Sequence, residues 1–364
     1  MLVSKICLTG GPCAGKSTAL AKIERELTDL GYKVFIIDEV ATRLINRGIK
    51  PFGDDSIDMF EFEQIMLKHQ LKEEETFEKV CNMINKKCVI ICDRGIFDIK
   101  SFLTNKEFDK LLKQNNLSKL SLMDNYNLVI HMTTAAKGAE KFYTTDNNKV
   151  RTEGIKEAII RDDKCMDAWS FHNNLKIVDN STSFDEKIEK VINNIKSSLG
   201  IENRKQRKYL VEIKENDNEE IVKVDITQYY LETNNDYEIR LRKRTLDGDD
   251  TYYITIKNNN NEKEKVITEE KIDKKTFERL LNQRMVINTV EKQRICFTYH
   301  DNLFKLDRFN DGMIILETDG EVAIPPYIKV IKEVSLDKNY KNMNIKIGGD
   351  KNDLRKRRRC YKKV

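Results

Sequence analysis

The chain carries the run Gly10-Gly11-Pro12-Cys13-Ala14-Gly15-Lys16-Ser17-Thr18, which fits G-x-x-x-x-G-K-[ST]. Glycines at this spacing let successive backbone N–H groups wrap a phosphate, and a helix N-terminus behind them adds a favourable dipole. Lys16 is placed to reach β- and γ-phosphates, and Ser17 to ligate Mg²⁺. The pattern predicts ATP or GTP with Mg²⁺ as the cofactor set; no compact motif selects the base. A plain glycine-rich turn is the competing reading. The apolar run before the motif and the helical pattern after it argue against that.

Asp93-Arg94-Gly95 ends another apolar run. An aspartate at a strand's carboxyl end beside the phosphate loop can hold Mg²⁺ through water, so Asp93 is the second metal candidate. A helix N-cap is its structural alternative. Asp38-Glu39, followed by Arg43, ends a third run, where an open α/β sheet seats an acceptor. Either carboxylate could take a proton from an attacking hydroxyl, or simply cap a helix. Arg151 and Arg161 flank a later helical stretch. A lid arginine there would neutralise transition-state charge, whereas a solvated ion pair would do nothing chemical. Trp169 and His172 read as packing residues. With four histidines in the chain, no His-based metal site is expected.

A second set of charges lies in the other half. Residues 237–244 read Y-E-I-R-L-R-K-R. A period of two puts Glu238, Arg240, Arg242 and Arg244 on one face. Tyr253, Thr255 and Lys257 share a face in the next run, Lys292 and Arg294 in a later one, and Glu317 and Asp319 in one further on. Two explanations stand. One is a solvated sheet face. The other is a closed barrel with a polar interior, its cations binding polyphosphate and its carboxylates a divalent metal.

These groups need elements to position them. Residues 3–9, 33–37, 89–92, 128–132 and 176–178 read as short buried strands, among helical patterns at 16–30, 56–85 and 185–199. The alternation predicts an α/β P-loop fold, a parallel sheet with helices on both faces. Residues 201–207 read as a polar linker. Beyond it, strands are expected at 221–231, 237–244, 252–257, 288–299 and 313–318, with one helix at 274–282. Asp247-Gly248 and Asp311-Gly312 are turn signals between them. That half is expected to be a mostly antiparallel β-barrel or tunnel. The expected organisation is therefore 1–200, linker 201–207, 208–349, and a basic tail at 350–364.

Composition agrees. A chain of 364 residues suits two domains, and 39% hydrophobic with 34% charged residues is globular rather than disordered. No apolar run approaches the roughly 20 residues of a membrane span. The net charge of +5 is too small for a general nucleic-acid binder, and no DNA-binding motif is present. Eight dispersed cysteines without a CxxC pair predict reduced thiols and a cytoplasmic setting. The first nine residues show no secretory pattern. The tail holds Arg355 to Arg359, Lys362 and Lys363. Beside an anionic membrane each basic residue would contribute about 1 kcal/mol, giving peripheral attachment. A nuclear-import or RNA contact, or a solvated tail, has the same composition.

The phosphate-loop run, Asp38-Glu39, Asp93-Arg94-Gly95, A-A-K-G-A-E-K-F-Y at 135–143, Arg151-Thr152-Glu153, Ala168-Trp169, His172 and Asp179-Asn180 form an ordered set. It resembles the AAA-type ATPase domain of the TRPL translocation defect protein family and, more distantly, nicotinamide-riboside kinases. The later motifs E-I-R-L-R-K-R, Y-I-T-I-K, K-Q-R-I-C-F, F-K-L-D-R-F, I-L-E-T-D and K-E-V-S-L-D-K-N-Y-K-N resemble the CYTH fold of class IV adenylate cyclases and thiamine triphosphatases. Together they cover nearly the whole chain in that family's order. The resemblance implies nucleotide binding in the first half, and for the eponymous protein guanine-nucleotide and acidic-phospholipid binding. For the second half it implies metal-dependent attack on triphosphates inside a tunnel. Lys208, Arg240, Arg242, Lys257, Lys292 and Arg294 would be the phosphate ligands, Glu317 and Asp319 the metal ligands. One departure stands out. The E-x-E-x-K signature of such tunnels keeps Lys208, but its acidic positions hold Arg204 and Gln206. Fewer carboxylates weaken a divalent site, which argues against cleavage and leaves phosphate binding.

Three functions follow. The first is an NTP hydrolase or small-molecule kinase at residues 10–18, with Lys16, Arg151 and Arg161 stabilising the moving phosphoryl group and Asp38 or Glu39 activating water or a hydroxyl. The second is a nucleotide-gated switch binding phosphoinositide, phosphatidic acid or an organic or inorganic polyphosphate. The third is a metal-dependent triphosphatase in the C-terminal tunnel.

Overall fold

The computed structural model describes residues 3–143, 154–201, 206–213, 222–233, 237–258 and 267–345. The chain divides into two compact units near residue 203.

The first unit runs β1 (Val3–Thr9), α1 (Lys16–Asp29), β2 (Lys33–Ile37), α2 (Val40–Asn46), α3 (Met59–Met83), β3 (Cys88–Asp93), a 3₁₀ turn (Ile96–Ser101), α4 (Asn105–Gln114), α5 (Lys119–Met123), β4 (Leu128–Met132), α6 (Ile155–Trp169), β5 (Leu175–Val178) and α7 (Phe184–Ser198). The sheet order is β2-β3-β1-β4-β5, and every pair is parallel. Strands buried on both faces read as mostly apolar runs, as β1, β3 and β4 do, with Lys5 of β1 paired to Glu74 at 2.8 Å and His131 of β4 as buried polar exceptions. One face is covered by Ala19, Ile23 and Leu27 of α1 and Ile188, Val191 and Ile195 of α7. Trp169 packs beneath the other, its ring 5.2 Å from Phe97 and 5.1 Å from Tyr126. The helix expected at 56–85 starts later because Asp58 caps it, accepting from Phe60 N at 2.8 Å.

The second unit runs β6 (Gln206–Ile213), β7 (Lys223–Leu231), β8 (Tyr237–Leu246), β9 (Asp249–Asn258), β10 (Ile267–Ile272), α8 (Lys274–Gln283), β11 (Val286–Tyr299), β12 (Asn302–Phe309), β13 (Ile314–Asp319) and β14 (Ile328–Glu333). They form one sheet in the order β10-β9-β8-β7-β11-β12-β13-β6-β14. The expectation of a closed barrel is corrected here: the sheet is open, with β10 and β14 as its edges. Lys329, Lys332 and Glu333 of β14 face solvent, and charged side chains keep such an edge from pairing further. The separate strand β12 was hidden in the sequence. The turn before it uses His300 and Asp301 at φ 46° and 56°, without the glycine that usually marks such a hairpin.

The sheet nevertheless curls. Lys257 on β9 and Lys208 on β6 lie within electrostatic reach although β8, β7, β11, β12 and β13 separate their strands. Its concave face has an apolar end built from Leu210, Tyr230, Val290, Phe309 and Ile315, against which Tyr340, Met343 and Ile345 pack. The convex face is closed in part by α8, whose Phe277 lies on Leu231, Leu241 and Tyr252. No helix among the described residues is long and apolar enough to cross a membrane.

Candidate functional sites

In the first unit three loops meet at the carboxyl edge of the sheet, where open α/β sheets bind ligands. The phosphate loop follows β1, Asp93 ends β3, and Asp38-Glu39 follows β2. The loop's shape depends on glycine. Gly10 has φ 140°, and a Cβ there would lie 2.0 Å from the Met132 carbonyl oxygen. A Cβ on Gly15, at φ 91°, would meet the Phe184 ring at 2.6 Å. Gly10→Ala therefore combines a backbone clash with a disfavoured φ that alone costs about 1–3 kcal/mol. We expect loss of nucleotide binding and a lower melting temperature, read by thermal melts with and without nucleotide.

Gly15 caps α1 without a side chain, so the N–H groups of Lys16, Ser17 and Thr18 are not covered by a capping residue. Lys16 is buried, and it makes no hydrogen bond or ion pair with a described residue. Its charge acts on Glu39 and Asp93. Burial pushes the Asp93 carboxyl up, and its Oδ1 is buried without a hydrogen-bond partner. That orphaned oxygen and the exposed Ser17 are a donor set that fits a hard cation such as Mg²⁺. Burial would also raise Glu39, but Arg94 and Lys16 overcome it and hold the carboxyl at about 2. Arg94 donates through Nε to Glu39 Oε1, and Thr42 donates to Oε2 at 2.6 Å. Asp38 is exposed. Arg43 turns away to Glu73 at 2.6 Å.

Behind Arg94 lies a buried polar layer that no local motif announced. Asp98 accepts from Thr9 Oγ1, from Gly95 N at 2.8 Å and from Trp169 Nε1 at 3.4 Å. Arg161 donates to the Ser101 carbonyl at 3.1 Å and stacks over Phe102 at 4.0 Å. It is thus placed on the Glu63 side, and Arg151 lies outside the described residues. His172 is a packing residue, as read: Nε2 lies 2.9 Å from the Tyr126 carbonyl and Nδ1 accepts from Asn174 N.

Glu63 of α3 is 1% exposed, and its Oε2 has no partner. Burial pushes its carboxyl up to about 8, against the pull of Arg161 and Arg94. Folded Glu63 keeps its proton to about pH 8, while the unfolded chain loses it near 4.5. Between those values the unfolded state binds fewer protons, so this group's contribution lowers stability as pH rises. Glu63→Gln should flatten that part of the slope and be more stable than wild type at pH 8. Urea unfolding at pH 5 and pH 8 checks this, and an unchanged slope in the variant would locate the effect elsewhere.

A second buried carboxylate braces the phosphate loop from beneath. Asp162 Oδ1 accepts from Gly11 N at 2.8 Å and Thr134 N at 3.1 Å, and its Oδ2 pairs with Lys137 at 2.9 Å. His131 Nε2 lies 3.2 Å from Oδ1, without hydrogen-bond geometry. Burial would raise Asp162, but His131 and Lys137 hold it low.

In the second unit the concave face gathers the charges that alternation had grouped strand by strand. A solvated sheet face is ruled out: the Arg240 and Lys292 side chains are 10% and 1% exposed. Lys292 donates to Asp307 Oδ2 at 2.5 Å, and Arg294 forks onto both Asp307 oxygens at 2.7 Å. Arg294 and Lys208 each reach Glu317 at 3.0 Å. Lys257 pairs with Glu238 at 3.1 Å, and Glu269 bridges Arg240 and Arg242. Burial would raise Glu317, but Arg294 and Lys208 hold it well below the usual carboxylate range. Burial, then the neighbouring Arg240, Arg294 and Arg244, push Arg242 down to about 10 despite Glu269. Asp307, Glu269 and Lys305 were not singled out in the sequence, although Asp307 and Lys305 alternate within F-K-L-D-R-F.

The expected metal pair does not come together as a cation site. Glu317 is held by two cations, while Asp319 is exposed at the strand end opposite Gln206. No group of three or more His, Cys, Asp or Glu suited to a metal occurs among the described residues. The basic tail lies outside them.

Solved structures similar to part of the chain include the inorganic triphosphatase NE1496, at 28% identity over 41% of this chain and 98% of that one, with a TM-score of 0.31. A second structure, of the hypothetical protein NE1496, is 27% identical over 41% of this chain and all of that one, TM-score 0.30. PH1819 from Pyrococcus horikoshii OT3 is 16% identical over 43% and 86%, TM-score 0.24. No curated protein matches the chain significantly. A family model described as an AAA domain matches residues 5–187, half of the chain and all the loops assembled around Lys16, and the protein belongs to that AAA domain family.

Proposed function

We propose that the first unit transfers the γ-phosphoryl group of ATP or GTP to a hydroxyl acceptor, and that the curled sheet of the second binds an oligophosphate. The observation that carries the first reading is Lys16, a buried ammonium without an ion pair among the described residues, set in a glycine cradle beside Glu39 and Asp93. Lys16 and the first N–H groups of α1 hold the terminal phosphates. Ser17 and Asp93 would hold Mg²⁺, which when bound supplies neutralisation of charge on the β- and γ-phosphates. Glu39, kept ionised by Arg94, orients the acceptor hydroxyl and takes its proton as the new P–O bond forms and the bond from the γ-phosphorus to the leaving nucleoside diphosphate breaks; Asp38 is the alternative base. The polar layer of Arg94, Asp98, Glu63 and Arg161 supports an acceptor other than bulk water.

In the second unit, cations outnumber carboxylates on the concave face, and its carboxylates are pinned by Lys208, Lys292 and Arg294. That supports binding over metal-dependent cleavage. The order of the motifs supports placing the chain with the TRPL translocation defect family. Phosphorus NMR with Mg²⁺ and ATP or GTP, with and without a panel of nucleosides and sugars, tests the first reading. A new phosphomonoester signal is expected. Release of inorganic phosphate alone would make the unit a hydrolase, and absence of any turnover would sink the transferase reading.

A further inference from the structure

The ion pairs on the concave face differ in kind. Asp307 is 1% exposed and locked by three contacts of 2.5–2.7 Å from Lys292 and Arg294. Glu269 is different. Its side chain is 36% exposed, and it stands on the edge strand β10. It reaches Arg240 Nη2 at 3.4 Å and Arg242 Nη1 at 3.2 Å, and accepts from Thr255 at 3.0 Å. Strong charge-assisted bonds between guanidinium and carboxylate measure about 2.7–2.9 Å and are usually forked. These are neither. Meanwhile the Nε atoms of both Arg240 and Arg242 are buried without any hydrogen-bond partner. Two neighbouring guanidinium groups thus share one carboxylate through long, unforked contacts, with donors left over.

We propose that Glu269 is a built-in counter-anion occupying the position of a phosphate group between Arg240 and Arg242, and that a metal-free oligophosphate binds by displacing it. The inference rests on the reading of the concave face as a phosphate site. A phosphate has more acceptor oxygens than a carboxylate and can engage the Nε donors that Glu269 leaves unused. No divalent ion is needed, because Lys208 and Arg294 already neutralise Glu317 and Gln206 adds no charge beside Asp319. Glu269 sets a threshold: only ligands with enough negative charge to outcompete it enter.

The test is calorimetric titration of the full chain with tripolyphosphate, in EDTA and separately in Mg²⁺. A Lys16→Ala background removes binding at the phosphate loop. Binding in EDTA is expected. Glu269→Gln should tighten it about fivefold, the scale of losing one half-exposed competing pair. Glu269→Asp, too short to bridge both arginines, should tighten it less, and Arg242→Ala should weaken it at least tenfold. Weaker or unchanged binding in Glu269→Gln with an unchanged melting temperature would make Glu269 a structural tie and overturn the proposal. If Glu269→Gln does not fold, Glu269→Asp decides in the same way. Binding that appears only with Mg²⁺ would overturn its metal-free part. Absence of binding under both conditions would instead remove the phosphate-site reading itself.

Discussion

Lys16→Ala should lower phosphoryl turnover by about 10²–10³-fold while leaving the protein folded. A preorganised charge aimed at a transferring phosphoryl group contributes on that scale, because it acts in a water-poor site and needs no reorganisation during the reaction. The fold should tolerate the change for a specific reason. Lys16 has no ion pair with a described residue, so its removal leaves none of them without a directly bonded partner. Glu39 and Asp93 lose a nearby positive charge, and both carboxyls should titrate higher than in wild type. Arg94 still holds Glu39. Turnover by phosphorus NMR and a thermal melt read the two halves of the prediction separately. Turnover at the wild-type level would move the chemistry out of the phosphate loop. A collapsed melting temperature would mean that Lys16 is structural.

The second large effect is expected from Asp307→Ala, on stability rather than on turnover. Asp307 is buried and takes three charge-assisted bonds from Lys292 and Arg294. Truncating one member of a buried ion network leaves the others desolvated and unpaired, which costs about 3–5 kcal/mol. For a unit of this size that is a fall in Tm on the order of 10 °C. Because Asp307 and Glu317 titrate low in the folded state, their stabilisation is present above the unfolded carboxylate range near pH 4. It is lost as pH falls through their folded values. Wild type should therefore show an acid limb, and Asp307→Ala a shallower one, since Glu317 still titrates low in the variant. Calorimetry at pH 7 and stepwise down to about pH 2 checks both parts. A variant as stable as wild type at pH 7 would mean that the two cations find other partners or water.

The division between legible and hidden features follows the range of the interactions. The phosphate loop was readable because one local stretch supplies its glycines, its lysine and its helix. Asp93 and Asp38-Glu39 were readable because parallel strands end on one edge, so each β-strand's last residue has a foreseeable address. Asp162, Asp98 and Glu63 were not, since their roles come from neighbours far along the chain. Asp162 sits in an ordinary helical stretch and becomes a brace only because Gly11, Thr134 and Lys137 arrive around it.

Alternation along β8, β9, β11 and β13 determined, from sequence alone, which charges share a face. It also determined the parallel first sheet, since apolar strands between helices can be buried only that way. Only the tertiary structure decided which face of the second sheet is enclosed, because a period of two is the same whichever side curls inward. It likewise decided that this sheet stays open at β10 and β14, and that Glu317 meets cations rather than other carboxylates. Those outcomes depend on twist and on pairings between distant strands, and no single strand encodes either.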